Sequence, residues 1–255
     1  MYLQVHRSQA SVDRIHNNGF TIFCQVKCFA CNKYYMSTII NLTFHGIGQP
    51  QRTLSRGEQQ VWVSESSFLS ILNLVKDRRN VRLTFDDGNE SDVNVALPAL
   101  IERKLTAEFF VLAGYLDKPN YLNAQDVRLL FQSGMKIGSH GMHHRSWRAA
   151  KNGELKEELF EARDKLQNII NQEIKNAACP FGVYNGRTLR TLKQAGYERV
   201  YTSDRGKAID NEWLQARNTV TCDDDARSIA ELIDNDEGMI SRSIRRSVLL
   251  AKRLC

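Results

Sequence analysis

Arg82-Leu83-Thr84-Phe85-Asp86-Asp87-Gly88 reads as a short β-strand that ends in two adjacent carboxylates and a glycine. Side chains alternate faces along a strand, so paired acids at its end can take different partners: one suits a cation, the other a water held beside it. Gly88 lets the backbone leave the strand sharply. Taken alone, Asp-Asp-Gly is equally the sequence of a solvated turn. A second stretch further along weighs against that plain reading. Gly138-Ser139-His140-Gly141-Met142-His143-His144 also follows an apolar, strand-like run, and His140 and His144 stand four apart. That spacing brings two imidazoles to one side of a helical turn or compact loop. Two histidines and one carboxylate make a facial set with positions left for water and substrate, whereas an exposed histidine-rich loop would make nothing.

Thr84-Phe85-Asp86-Asp87-Gly88 followed by Ser139-His140-x-x-x-His144 resembles the polysaccharide deacetylase family, the NodB-homology carbohydrate esterases, over about Asn41 to Val220. Within the family the likeness is greatest to the branch resembling poly-N-acetylglucosamine deacetylases. The resemblance implies a distorted parallel (β/α) barrel of about seven strands and removal of N-acetyl groups from the amino sugars of a polysaccharide or oligosaccharide. It also implies one divalent metal ion, zinc in the first instance, with cobalt, nickel, manganese or iron as alternatives.

The chain has 255 residues, 42% of them hydrophobic, and a net charge of +6. That length suits one substantial core plus a short extension. No long basic tract interleaves with aromatics, so nucleic acid is not an expected partner. No run of apolar residues is long enough for a transmembrane helix. Met1 to Ala10 contains His6 and Arg7 and leads into no apolar core, so no secretory signal is read and a cytoplasmic location is expected. The six cysteines are too scattered for a disulfide scaffold. Cys24-x-x-x-Cys28-x-x-Cys31 has the spacing of the iron–sulfur run of radical SAM enzymes, but Ala30 stands where those usually place an aromatic. A zinc knuckle would need a fourth ligand at suitable spacing. The sequence leaves oligomeric state open.

Residues 1–35 show no periodicity and are read as a poorly ordered extension, with residues 36–255 forming the NodB-homology domain. Ser37 to Gly46 is a β-branched strand. Val61-Trp62-Val63 is extended, and Ser66 to Asp77 carries Phe68, Ile71, Leu72 and Val75 at helical spacing. Ser91 to Lys104 is helical, with Pro98 expected to kink it. Phe109-Phe110-Val111 is a strand, and Asn123 to Ser133 a helix ended by Gly134. Gly153 to Asn171 is a long amphipathic helix with Glu154, Glu157 and Glu158 at its start, where the macrodipole favours acids. Ala177 to Pro180 and Arg199 to Thr202 are extended, with a helix from Arg187 to Ala195 between them. Strands separated by helices argue a parallel α/β barrel, whose reactive residues sit where strands end.

Ala178-Cys179-Pro180-Phe181-Gly182 resembles the family's Arg-x-Pro-Tyr/Phe motif, which implies that Phe181 offers a backbone N–H to a developing oxyanion. Ala178 stands where many members carry an arginine that orients the catalytic acid; a branch sharing this departure uses a later arginine, here Arg217. The family's C-terminal Leu-x-His is absent, since no histidine follows His144. His45, ending the first strand of the domain, is the expected general acid, as in circularly permuted members; a core histidine bonded to backbone is the alternative. The resemblance thus implies a metal on Asp87, His140 and His144, with Asp86 as general base. His143 is expected to point elsewhere, and Trp62, Trp147 and Trp213 to pack rather than stack on sugars. Two other functions stay open at this point: a metal amidohydrolase for a non-sugar amide, and a catalytically impaired carbohydrate-binding relative. The basic stretch Arg242-Ser243-Ile244-Arg245-Arg246 is read as part of a solvated terminal helix.

Overall fold

The computed structural model describes residues 37–235, Ser247, Ala251 and Lys252. The expected extension 1–35, Cys24, Cys28, Cys31, Cys255 and the basic stretch 242–246 lie outside the described residues. The strands are β1 (Thr38–Phe44), β2 (Gly46–Ile47), β3 (Trp62–Val63), β4 (Val81–Asp87), β5 (Ala107–Val111), β6 (Lys136–Ser139), β7 (Asn176–Ala178), β8 (Arg199–Thr202), β9 (Ala208–Ile209), β10 (Leu214–Ala216) and β11 (Asn218–Thr219). The main sheet runs β10-β8-β7-β6-β5-β4-β1-β11, every neighbouring pair parallel, with β9 added antiparallel to β1 and β2-β3 forming a separate ribbon.

The two ends of this sheet are halves of one extended run. Leu214–Ala216 pairs with β8, Asn218–Thr219 pairs with β1, and Arg217 stands at the switch between them. The Arg217 N–H still donates to Thr202 O on the β8 side, at 3.1 Å, and the Val220 N–H to Thr43 O on the β1 side, at 2.9 Å. The ring is therefore a barrel of seven staves when the halves are counted together, as the sequence implies. Side chains sew the same seam: Asn41 Nδ2 donates to Ala216 O at 2.9 Å and Asn218 Nδ2 to Asn41 O at 3.3 Å.

Alternation along β1 and β4 sorts residues between barrel interior and outer layer. Leu42, Phe44, Leu83 and Phe85 belong to the main apolar core, whereas Asn41, Thr43, Thr84 and Asp86 are buried polar groups. Phe85 stacks on Phe44 at 5.4 Å and on Phe109 at 4.6 Å, with Phe68 edge-on to the first two rings. Truncating Phe85 to alanine at the centre of this stack costs about 3–5 kcal/mol. The interior is tied by hydrogen bonds instead, such as Thr43 Oγ1 to Thr84 Oγ1 at 2.9 Å.

The outer layer comprises α1 (Arg56–Val61), α2 (Glu65–Val75), α3 (Leu97–Glu102), α4 (Ala124–Gln132), α5 (Asn152–Lys156), α6 (Ala162–Ile170), α7 (Gly186–Gln194) and α8 (Ala226–Asp234). Helix α2 starts where the Ser64 side chain accepts from the Ser67 N–H, and it buries Phe68, Ile71, Leu72 and Val75 as the spacing predicts. Asn123 caps α4, and Gly134 beyond it takes a φ of +85°. Pro98 lies at the start of α3, and a wide turn, Asp92–Ala96, runs directly into it, so the helical backbone continues from Ser91 to Glu102. The long helix is interrupted by a second wide turn, Glu157–Glu161, between α5 and α6. Val61 ends α1 rather than extending β3. Among the described residues no helix is long and apolar enough to cross a membrane.

Candidate active site

β4 and β6 are adjacent parallel neighbours of β5, so their C-terminal ends deliver Asp86-Asp87 and Ser139-His140 to the same rim of the barrel. Asp87 leaves its strand with a φ of +75°, and His144 and Phe181 hold left-handed backbone as well, at +53° and +58°. Such conformations cost non-glycine residues about 1–2 kcal/mol each and persist where the surroundings enforce them.

Asp87 Oδ1 lies 3.4 Å from His140 Nε2 and 3.4 Å from His144 Nε2, and the three ligand atoms fall within 4.8 Å of one another. Oδ1 is buried and accepts no hydrogen bond. Two ligand atoms on a tetrahedral ion with bonds of about 2.0–2.1 Å stand about 3.4 Å apart, so these donors are spaced as a small cation requires. The outer contacts agree. His140 Nδ1 meets Ala178 O at 2.9 Å, which fixes the proton there and leaves Nε2 as the free donor. Burial holds the His144 pKa below its ordinary value, favouring the neutral ring that a ligand needs.

Asp86 turns inward and takes a different partner. Arg217, at the switch between β10 and β11, grips it with two hydrogen bonds, Nη1 to Oδ1 at 2.6 Å and Nη2 to Oδ2 at 2.7 Å. Both side chains are almost wholly buried, and Arg217 is steadied by Thr202 O and Thr84 Oγ1 and by the rings of Phe110 and Tyr201. Burial pushes the Asp86 carboxyl up, but the charges of Arg217 and then His140 outweigh it, so its pKa falls below the usual carboxylate value. His45 follows β1 directly and lines the same cleft, its Nδ1 buried with no hydrogen-bond partner. Phe181 occupies the turn after β7; the residue is 62% exposed and its ring lies 4.3 Å from that of His144.

His143 points away, its Nε2 2.9 Å from Glu157 Oε1. No tryptophan lines the cleft. Trp147 is fully buried, Trp62 Nε1 donates to Gly48 O, and Trp213 Nε1 donates to Tyr197 O.

Two acids around the site escape sequence reasoning. Glu158 is fully buried and accepts from the Met142 N–H at 2.8 Å, the His143 N–H at 3.0 Å and Trp147 Nε1 at 3.3 Å, clamping the loop that carries the histidines. Gly141 makes room for it, since a Cβ there would stand 2.2 Å from Glu158 Oε2. Its position near a helix start reads as a macrodipole acid, and only its failure to face solvent shows otherwise. Asp92, on the wide turn after β4, is buried with neither oxygen bonded. Burial, with Asp87 and Asp86 nearby, holds its pKa well above the usual carboxylate range.

The family model for polysaccharide deacetylases matches residues 74–200, which include β4, the histidine loop and the Phe181 turn. The chain belongs to the polysaccharide deacetylase family. A chitooligosaccharide deacetylase of Rhizobium leguminosarum bv. trifolii is 30% identical over 129 residues, covering 50% of this chain and 58% of that relative. A poly-beta-1,6-N-acetyl-D-glucosamine N-deacetylase of Staphylococcus aureus is 24% identical over 146 residues, 52% of this chain and 50% of that one. The chain thus spans less than two thirds of these curated relatives. Among solved structures, the Streptococcus pyogenes deacetylase PplD in complex with acetate superposes with a TM-score of 0.69 at 22% identity, covering 78% of this chain and 99% of that one. At that identity the likeness speaks for the fold, and the fold is that of a polysaccharide deacetylase.

Proposed function

We propose that this polysaccharide deacetylase removes N-acetyl groups from the amino sugars of a polysaccharide or oligosaccharide, by metal-dependent hydrolysis. The observation that carries the reading is the joining, in one cleft of about 640 Å³, of an Asp87–His140–His144 donor set with the Arg217-held carboxylate of Asp86. A divalent ion on those three donors supplies a Lewis acid that makes water nucleophilic near neutral pH and polarises the acetamide carbonyl.

The chain's own groups do the rest. Asp86, kept ionised by Arg217, accepts the proton of the attacking water, and Arg217 holds its lone pairs in register. The Phe181 N–H, presented by a left-handed residue at the cleft wall, donates to the oxyanion of the tetrahedral intermediate. His45 gives a proton to the departing amine, which does not leave as an anion. The relatives named above, one for chitooligosaccharide and one for poly-β-1,6-N-acetylglucosamine, support an N-acetylated glycan as substrate.

Acetate release from chito-oligosaccharides, measured with and without a chelator, tests the reading. Metal-dependent release is expected. Release unaffected by exhaustive chelation would refute the metal. No release from any N-acetylated glycan, alongside hydrolysis of simple amides, would refute the substrate.

A further inference from the structure

The wall of the cleft facing the catalytic groups comes from the segment joining β2 to β3, which contributes Arg52, Ser55, Gly57, Glu58 and Val61. This segment lies outside residues 74–200 and so outside the stretch that defines the family. Arg52 Nη2 donates to Glu58 Oε1 at 2.6 Å and to Asn89 Oδ1 at 3.2 Å. Its guanidinium carbon lies 4.9 Å from the centre of the Tyr121 ring, which also lines the cleft. Arg52 Nη1 has no acceptor among the described residues.

Both members of this pair are held from behind. Glu58 Oε2 accepts the Ser55 N–H at 2.9 Å, the capping box that starts α1, so α1 itself orients the carboxylate. Asn89 is fully buried one residue beyond Gly88 and donates to the His45 carbonyl at 3.4 Å, which ties Arg52 to the turn that carries Asp87. A preorganised guanidinium–carboxylate pair with a spare donor, the guanidinium lying over an aromatic ring, offers charged hydrogen-bonding groups to the hydroxyl-bearing edge of a pyranose. Because Glu58 neutralises Arg52, the wall suits hydroxyls rather than an anionic substituent.

We propose that Arg52 and Glu58 form a sugar subsite, binding free hydroxyls of the neutral sugar next to the one being deacetylated. The inference rests on the deacetylase reading above and adds chain-length selectivity to it. The subsite is engaged by an oligosaccharide and left empty by a small acetyl donor.

The test compares the full-length, metal-loaded protein with its Arg52→Met and Glu58→Gln variants on chitotetraose and on p-nitrophenyl acetate. Loss of a charge-assisted hydrogen bond to a substrate hydroxyl raises KM for chitotetraose roughly tenfold or more. The turnover number and the aryl acetate reaction should stay within about twofold of wild type by the same reasoning. Glu58→Gln keeps an oxygen for the Ser55 cap but turns an NH₂ toward Arg52 Nη2, so it should reproduce the KM effect with only a small fall in melting temperature. Unchanged KM for chitotetraose in both variants, with wild type active, would overturn the subsite alone. Equal losses on both substrates would also overturn it, by assigning Arg52 a structural role. An effect confined to a carboxylate-bearing peptidoglycan fragment would replace the neutral sugar with an anion. Wild-type protein inactive on chitotetraose and every other N-acetylated glycan would overturn the deacetylase reading together with the subsite.

Discussion

Arg217→Met is the substitution that asks most of the reasoning. It removes four hydrogen bonds from a side chain with 1% exposure and leaves Asp86, with 4%, without its counter-ion. Breaking a buried pair by deleting one partner costs about 3–5 kcal/mol, because the remaining charge has neither water nor partner. At about 2–4 °C per kcal/mol for a domain of this size, the melting temperature should fall by roughly 6–20 °C. Asp86 should then relieve the strain by binding a proton, since Arg217 is the largest influence holding its pKa down. With the carboxylate less firmly ionised and no longer oriented, turnover should drop by about 10²–10⁴-fold. Asp86→Asn in the Arg217→Met background should cost less than the two changes summed, because the pair is lost only once. A pH series adds a sign. The depressed Asp86 pKa contributes stability that is present above the unfolded value, near about 4, and is lost as pH falls through the folded one. Arg217→Met should flatten that acid limb. Strict additivity in the double mutant, or an Arg217→Met protein melting within about 2 °C of wild type and turning over normally, would refute the account.

Replacing His140 and His144 together by alanine should abolish stoichiometric metal in elemental analysis of the purified protein; undiminished metal would place the ion elsewhere. His45→Ala should slow deacetylation of an acetamide strongly while sparing an aryl acetate, whose leaving group departs without a proton; equal losses on both would make His45 structural. Glu158→Gln should lower metal affinity by about 10–100-fold with the ligands intact, because one carboxylate oxygen that accepts from the histidine loop becomes an NH₂ facing other donors; titration with zinc against a competing chelator reads it.

The barrel was legible because its strands are short, apolar and punctuated, and because Asp86-Asp87-Gly88 and the histidine loop each end one. Arg217 was legible from what Ala178 lacks, and the structure brings that arginine onto Asp86. Other features were not. The β10–β11 switch shows no periodicity, since Leu214 to Thr219 pairs with one neighbour for half its length and another for the rest. Glu158 and Asp92 sit on wide turns, where an extra residue per turn rotates a side chain off the face that helical spacing assigns it. The Arg52–Glu58 pair was hidden because a cap and a cation–π contact leave almost no mark on composition.

The closing stave has a consequence for biogenesis. Asp86 and Arg217 are 131 residues apart, and the arginine leaves the ribosome long after the acid. Until Leu214–Thr219 bridges β8 and β1, the carboxyl lacks its counter-ion and neither of its oxygens has the guanidinium that fixes it. The switch that completes the ring also supplies that counter-ion, so a nascent or C-terminally clipped chain can carry every candidate metal donor and still lack the arginine that orients Asp86. The last stave to be set is thus the one that aims the carboxylate.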